Sequence, residues 1–185
     1  MEEILGVYAR PAGPTRPLVC FDEGGKGLRA AARPPVPTTP GRPAWEDAEY
    51  VRRGTANLFL WCAPLLGERG GAVTERRTRV DQAHAVRDLV DIRFPEAAQI
   101  APVLDNFNPH DPAALSAAFP PAETKRLWDK LEIHHTHGSW LNVAEIELSA
   151  LGRQCLDRRF ADQDELAAEV AAWAERRNAA HIRVA

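Results

Sequence analysis

The sequence has few of the residues from which small secreted or metal-clamped domains are built. Its 185 residues include only three cysteines, Cys20, Cys62 and Cys155, too few and too scattered for a disulfide framework or a zinc knuckle. No apolar run reaches the length of a membrane span, and the residues after Met1 are acidic where a signal peptide would be basic. We therefore expect one cytoplasmic globular domain with no membrane segment.

Positive charge is scarce as well. The chain has 23 Lys and Arg against 26 Asp and Glu, a formal net charge of −3, and only three of the basic residues are lysine. Such a chain is a poor overall match for nucleic acid, because phosphates are neutralised by surplus cations. The arginines are clustered, however, and a forked guanidinium binds phosphate oxygens bidentately. We expect DNA contacts from Arg76, Arg77, Arg79, Arg153 and Arg158; the alternative is solvated surface charge paired with nearby acids.

The remaining pattern is an alternation of short apolar runs with segments of helical apolar spacing. The proline-rich stretch 30–43 interrupts it and is expected to be an extended connector, since proline removes backbone donors and fixes φ. Strands are expected at 16–22, 57–62, 100–105 and 131–135, and helices at 80–94, 112–118, 122–130, 143–159 and 163–178. This order indicates an α/β fold with helices over a mixed sheet.

Two of the predicted strands end in aspartate. Asp22 closes the first apolar run and Asp105 closes the third. Ligands of open α/β sheets gather at the carboxyl ends of adjacent strands, and a divalent cation relieves the repulsion between two carboxylates held there. The alternative is that both acids only terminate strands and favour turns.

A third acid is available on the helix predicted after residue 142. Glu145 and Glu147 flank its apolar stripe on opposite edges, so the two side chains cannot serve one site. Asn142 lies three residues before Glu145 and on the same face. The same pair also fits a capping box at the start of the helix, and a capped first turn is a rigid place from which to present a ligand.

Eight segments, taken in chain order, resemble bacterial insertion-sequence transposases of the mariner type, which carry the DDE endonuclease domain. The resemblance extends over about 5–178, nearly the whole chain, and is therefore more specific than any single motif. The segments are 20–23, 40–43, 54–59, 73–78, 103–106, 137–142, 144–149 and 153–159.

The resemblance implies an RNase H-like α/β fold, with a central mixed sheet and helices on both faces. By position it assigns Asp22, Asp105 and Glu145 as the catalytic acids, which hold two divalent ions, Mg²⁺ or Mn²⁺. In the two-metal scheme one ion activates a water or a DNA 3′-hydroxyl and the other stabilises the leaving oxygen, so no protein nucleophile is needed. Glu147 is then expected to be a surface or salt-bridging residue.

Four polar residues are expected to support these acids. Asn106 follows the second acid, and Asn142 precedes the third by one turn. His110 and His137 are expected on nearby loops, in contact with DNA phosphate or a catalytic water. A zinc site that also uses His134 and His135 is disfavoured, because strand alternation places these two on opposite faces.

The activity implied by the resemblance is DNA cleavage at transposon ends followed by strand transfer. Its partner is DNA, a homodimer is compatible with it, and no organic cofactor is expected. Family members carry an N-terminal helix-turn-helix region that the chain lacks, so we expect a solitary catalytic domain. The segment 136–140 is also two residues shorter than in the family. The alternatives are an inactive transposase remnant that binds DNA weakly, and a general RNase H-like nuclease.

Overall fold

A computed structural model describes residues 2–11, 13–34, 36–45, 47–105, 112–136 and 141–183, with the backbone alone at 2, 3, 105 and 112. The strands in these ranges are β1 (Leu18–Ala31), β2 (Tyr50–Ala63), β3 (Glu68–Thr74), β4 (Ala101–Asp105) and β5 (His134–Thr136). The helices are α1 (Glu2–Tyr8), α2 (Arg79–Asp88), α3 (Pro112–Ser116), α4 (Pro121–Asp129), α5 (Val143–Leu151) and α6 (Gln163–Ala179). None of these described helices is long and apolar enough to cross a lipid bilayer.

The described strands form one mixed sheet in the order β3-β2-β1-β4-β5. β1, β2 and β3 pair antiparallel along the chain, whereas β4 pairs parallel with both β1 and β5. Parallel neighbours need crossover connections, and the chain between β4 and β5 carries α3 and α4. The predicted α/β fold with a mixed sheet is confirmed.

The first strand is longer than the sequence predicted. β1 continues from Asp22 to Ala31 and pairs with β2 throughout, from Asp22 opposite Leu60 to Ala31 opposite Tyr50. The prediction that Asp22 ends a strand that opens into a loop was therefore wrong. Backbone hydrogen bonds to β2 hold the glycine-rich stretch extended, although glycine on its own disfavours strands. Asp22 consequently lies within the sheet and not at its edge.

β2 also extends beyond its predicted range, and β3 was not predicted at all. The pair Gly70-Gly71 hides β3 in the sequence, because glycine normally weakens a strand. In the structure Gly70 lies opposite Trp61 of β2. A Cβ placed on Gly70 would lie 2.8 Å from three atoms of the Trp61 indole. The glycine is needed because the indole occupies the space of a side chain.

Substitution of this glycine provides a test of the packing. We expect Gly70→Ala to lower the free energy of unfolding by about 1–3 kcal/mol, since the indole must leave its place in a close-packed core. Urea unfolding followed by tryptophan fluorescence measures the change. Gly27→Ala is the matched control, because a Cβ on Gly27 of β1 meets no atom within 4 Å. Equal stability of the two variants would contradict the assignment.

The sheet is covered on both faces, which confirms the expected arrangement. One face, called here the α5 face, packs Cys20, Leu60 and Val103 against α5 and α6. The other face packs Phe21 and Trp61 against α2, α3 and α4. All three cysteines are free thiols and are buried.

Most of the predicted helices are present with small differences in length. The helix expected at 80–94 is α2 followed by a π-helical turn, Leu89–Arg93, and that expected at 143–159 is α5 followed by a second π-helical turn, Gly152–Leu156. α6 matches its predicted range closely, whereas α1 was not predicted. β5 begins three residues later than expected. In the proline-rich stretch, Val36 pairs with Trp45 and Thr39 with Arg42 by isolated bridges, while residues 30 and 31 belong to β1.

Candidate active site

Asp22 and Asp105 occupy neighbouring positions on two adjacent parallel strands. β1 and β4 pair with Cys20 opposite Val103, and both of these side chains lie in the core of the α5 face. Asp22 and Asp105 each follow by two residues, so the same register brings the two positions level. Strand alternation puts positions 22 and 105 on the α5 face. The Asp22 residue is half-buried, and its Oδ1 accepts a hydrogen bond from the backbone N–H of Glu23 at 2.7 Å.

Asn142 fixes the N-terminus of α5 to β1. Its side-chain amide donates a hydrogen bond to the carbonyl oxygen of Phe21 at 3.1 Å, one residue before Asp22. Its Oδ1 accepts from the backbone N–H of Ala144 at 3.2 Å and thereby caps the helix. The predicted N-cap role is confirmed, although the cap bond goes to Ala144 and not to the N3 residue of a capping box. One buried side chain thus joins the helix to the strand that carries the first acid.

A second contact fixes the direction in which α5 crosses β1. Gly24 faces the helix, and a Cβ placed there would lie 3.5 Å from Cδ2 of Leu148. Glu145 lies in the sequence midway between Asn142 and Leu148, which are the two residues of α5 that reach β1 in these contacts. The helix therefore carries Glu145, itself half-buried, over the part of β1 that contains Asp22.

Helix α1 supports this arrangement from behind. The Tyr8 hydroxyl donates to the carbonyl oxygen of Leu141 at 2.8 Å and lies 3.1 Å from the sulfur of Cys20. Burial and the neighbouring Cys20 sulfur raise the pKa of Tyr8 above its ordinary value, so the phenol stays protonated and remains a donor. Sequence reasoning missed this residue because α1 has no strong helical pattern.

Glu147 is the buried centre of an ion cluster. Its carboxylate lies 3.1 Å from Nε of Arg69 in β3 and 2.9 Å from a terminal nitrogen of Arg177 in α6. The side chains of Glu147 and Arg69 are 0% and 1% exposed. Of the two expected alternatives, a surface or a salt-bridging residue, the structure shows the salt-bridging one, in a buried position. Because Glu145 is two residues away, about 200° around the helix, this ion cluster fixes the rotation of α5 with Glu145 on the other side.

The structure places only some of the predicted supporting residues. Asn106, His110 and His137 lie outside the described residues, as does the side chain of Asp105. His134 is buried and His135 exposed, as strand alternation predicted. The backbone of Asp105 pairs with Thr136, the last residue of β5.

The donor set fits a hard divalent cation. Among the described side chains, no three of His, Cys, Asp or Glu are close enough together to hold a metal ion. Asp105, whose side chain is outside that description, has a backbone position level with Asp22, and Glu145 is carried over the same strand. Carboxylate oxygens are the ligands preferred by Mg²⁺ and Mn²⁺. Asp22, Asp105 and Glu145 therefore have the type of ligand atom that such ions prefer.

The two hydrogen bonds of the Asn142 side chain can be tested directly. We expect Asn142→Ala to reduce the free energy of unfolding by about 1–3 kcal/mol, because the helix cap and one hydrogen bond to the Phe21 carbonyl oxygen are both lost. Asn142→Asp is the matched variant, since aspartate caps a helix as well as asparagine but has no N–H to donate. Urea titrations of both variants measure the two effects. Wild-type stability of Asn142→Asp would show that the bond to Phe21 contributes nothing.

The first arginine group lies in an exposed segment between β3 and α2. Arg76, Arg77 and Arg79 are all exposed. Arg77 approaches Glu23, with Nε 3.6 Å from a carboxylate oxygen, while the Glu23 side chain is only 4% exposed. Arg76 and Arg79 form no ion pair with any described residue. Arg77 therefore fits the alternative of paired charge, and the other two fit phosphate binding.

The second arginine group divides in the same way. Arg158 pairs with Glu165 at 3.4 Å and with Glu169 at 3.1 Å. Arg153 donates to the hydroxyl of Ser149 at 2.7 Å and has no carboxylate partner in the described part of the chain. Of these two, Arg153 is the cation that is left available for an external anion.

The fold and the matched positions of Asp22 and Asp105 on adjacent strands agree with one class of protein, the DDE superfamily endonucleases. The family model of the DDE superfamily endonucleases matches residues 17–167, and the chain belongs to this family. No curated protein matches the chain.

Solved structures of the Mos1 mariner transposase share the fold. The Mos1 paired end complex with Mn has a TM-score of 0.57 at 19% identity, over 95% of this chain and 52% of that chain. The Mos1 strand transfer complex has a TM-score of 0.59 at 17% identity, over 94% and 51%. The predicted RNase H-like fold and the resemblance to mariner-type DDE transposases are confirmed. The chain spans about half the length of these Mos1 chains.

Proposed function

We propose that this domain catalyses metal-dependent cleavage of DNA strands at transposon ends, followed by strand transfer. The observation that carries the proposal is the level placement of Asp22 and Asp105 on adjacent parallel strands, with α5 carrying Glu145 across the first of them. Membership of the DDE endonuclease family supports it. The titles of similar Mos1 structures name a paired end complex with Mn and another with Mg, and these metals also support the proposal.

The proposed roles follow from the positions of the side chains. Two divalent ions, when bound, supply a nucleophilic oxygen at neutral pH and stabilise the leaving oxygen of the DNA. Asp22, Asp105 and Glu145 hold these ions through carboxylate oxygens. Asn142 is a positioning residue, because it sets the height of α5 over β1. Asn106, His110 and His137 belong to the proposal as residues that contact a carboxylate, DNA phosphate or water near the site.

DNA is the proposed partner, and two copies of the chain acting together remain part of the proposal. The Mos1 titles name a paired end complex and a strand transfer complex, which supports DNA as the partner. The homodimer rests on the family resemblance. Arg76, Arg79 and Arg153 are the proposed phosphate contacts, because they lack a carboxylate partner among the described residues. Arg77 and Arg158 are retained as weaker contacts, since each already faces an acid.

A cleavage assay with a supercoiled plasmid tests the activity. Purified protein with Mn²⁺ or Mg²⁺ is expected to convert the plasmid to the nicked form, and EDTA is expected to stop the conversion. Cleavage of an RNA–DNA hybrid in preference to duplex DNA would instead indicate a general RNase H-like nuclease. A folded protein that binds DNA but never nicks it, with either metal, would overturn the catalytic proposal and favour the inactive remnant.

A further inference from the structure

A groove runs away from the candidate active site along the second half of β1. Three adjoining depressions form it on the α5 face. The first depression begins at Gly24. It adjoins the second at Lys26 and Asp157, and the second adjoins the third at Arg29, Arg158 and Arg159. The floor is β1 and the wall is the π-helical turn after α5 with the loop behind it. Gly24 is two residues from Asp22, so the groove starts at the first acid.

The charge of this groove is opposite to that of the whole chain. Of the residues that the structure describes, six cations line it, against the three acids Asp47, Asp157 and Glu165. The chain as a whole has a formal net charge of −3. The cations are Lys26, Arg29, Arg33, Arg153, Arg158 and Arg159.

Three of these cations keep donors available for an external anion. Arg29 is exposed, stacks on the ring of Tyr50 at 4.6 Å and has no ion pair within the described residues. Among the described residues, the guanidinium of Arg153 hydrogen-bonds the hydroxyl of Ser149 and no carboxylate. Lys26 donates to the carbonyl oxygen of Leu156, which uses one of the three N–H donors of an ammonium group.

The other arginines of the groove have structural partners. Arg158 faces two glutamates, as described above, and Arg159 donates to the carbonyl oxygens of Asp47, Ala48 and Glu49. Nε of Arg33 lies 3.5 Å from a carboxylate oxygen of Asp47. These three build the wall and hold the chain that precedes β2.

The floor of the groove is unusually bare. Gly24, Gly25 and Gly27 line these depressions with backbone alone. Open backbone between Lys26 and Arg29 leaves room for a bulky ligand to approach the strand closely. Three cations with available donors, spaced along an open strand, fit an extended phosphodiester chain. A compact anion would instead be bound by a single cluster of cations.

We propose that this groove binds the sugar–phosphate backbone of the DNA strand that leads away from the scissile bond, through Arg153, Lys26 and Arg29. The inference rests on the proposed function. At about 3.3 Å per residue of strand, Lys26 lies roughly 13 Å and Arg29 roughly 23 Å from Asp22 along β1. The row therefore spans several phosphates and aligns the strand with the catalytic acids.

Binding in the absence of metal tests this inference separately from cleavage. Fluorescence anisotropy with a labelled duplex, in EDTA and over a series of salt concentrations, measures affinity and its salt dependence for the full chain. We expect Arg29→Gln/Arg153→Gln to weaken binding about tenfold at low salt and to reduce the slope of log K against log salt by about two, one unit for each lost phosphate contact.

Arg93→Gln/Arg183→Gln is the matched control, because it removes the same charge from exposed arginines outside the groove. It is expected to change the slope by less than about one. Thermal melting of both double variants verifies that they are folded. Equal affinity and equal salt dependence of the two double variants would contradict the proposal that the groove binds DNA. Absence of DNA binding by the wild type would contradict it as well. DNA binding by the wild type without cleavage would support the proposed role of the groove and contradict only the proposed catalysis.

Discussion

Asp22→Asn, Asp105→Asn and Glu145→Gln are each expected to reduce metal-dependent nicking more than about 100-fold, since even residues that only orient metal ligands cost 10–100-fold when replaced. Each amide keeps the shape of the carboxylate but removes the charge that holds a divalent cation. Nicking of supercoiled plasmid in Mn²⁺ measures the loss. DNA binding in EDTA is expected to be retained, because without metal the carboxylates repel phosphate and their replacement removes no attractive contact.

Two exposed acids on α6 provide matched controls for these variants. Asp164→Asn and Glu175→Gln make the same chemical changes at exposed positions of α6 that are not part of the candidate active site. Both are expected to nick at the wild-type rate. Full activity of Asp22→Asn or Asp105→Asn would remove that acid from the site. Full activity of Glu145→Gln alone would mean that α5 supplies no metal ligand.

Replacing the buried Glu147 by alanine is expected to lower the free energy of unfolding by about 3–5 kcal/mol. The substitution leaves the guanidinium of Arg69, 1% exposed, without its counter-charge in the interior. Arg177 loses the same partner but is partly exposed. For a domain of this length the melting temperature should fall by roughly 6–20 °C, which calorimetry measures directly.

The glutamate two residues earlier is the natural control. Glu145→Ala removes the same side chain from the first turn of α5 and is expected to cost no more than about 1 kcal/mol. A double variant, Glu147→Leu with Arg69→Met, is expected to be more stable than Glu147→Ala, because it removes the uncompensated charge together with its partner. Equal stability of Glu147→Ala and wild type would refute the role of the ion cluster.

Glu145 and Glu147 show how much of the structure the helical pattern of the sequence can predict. Helical periodicity placed Glu145 and Glu147 on opposite edges of the apolar stripe and predicted the cap at Asn142, and both features are found. Periodicity could not tell which edge is covered. Glu147 is buried because Arg69, from a strand that was not predicted, and Arg177, from the last helix, meet there. Only the packing of three distant elements supplies that information.

β1 shows the converse case. The residues after Asp22 disfavour a strand, and the sequence predicted that the strand ends there. Pairing with β2 overrides this preference, since a long antiparallel hairpin satisfies backbone donors and acceptors whatever the side chains are. The groove along β1 follows from this extension. The sequence indicated Arg153 and Arg158 as DNA contacts but not Lys26 and Arg29, which this part of β1 carries.

By itself the sequence determined the helices with clear apolar spacing, the mixed α/β class, the family resemblance and the candidate acids Asp22, Asp105 and Glu145. The helices and the fold class depend on residue types and on spacing along single elements, whereas the set of three acids is what the family resemblance implies. The tertiary structure alone decided the length of β1, the presence of β3, the crossing of α5 over β1 and the burial of Glu147. Each of these is set by hydrogen bonds and contacts between segments far apart in the chain, where the partner and not the local sequence determines the conformation.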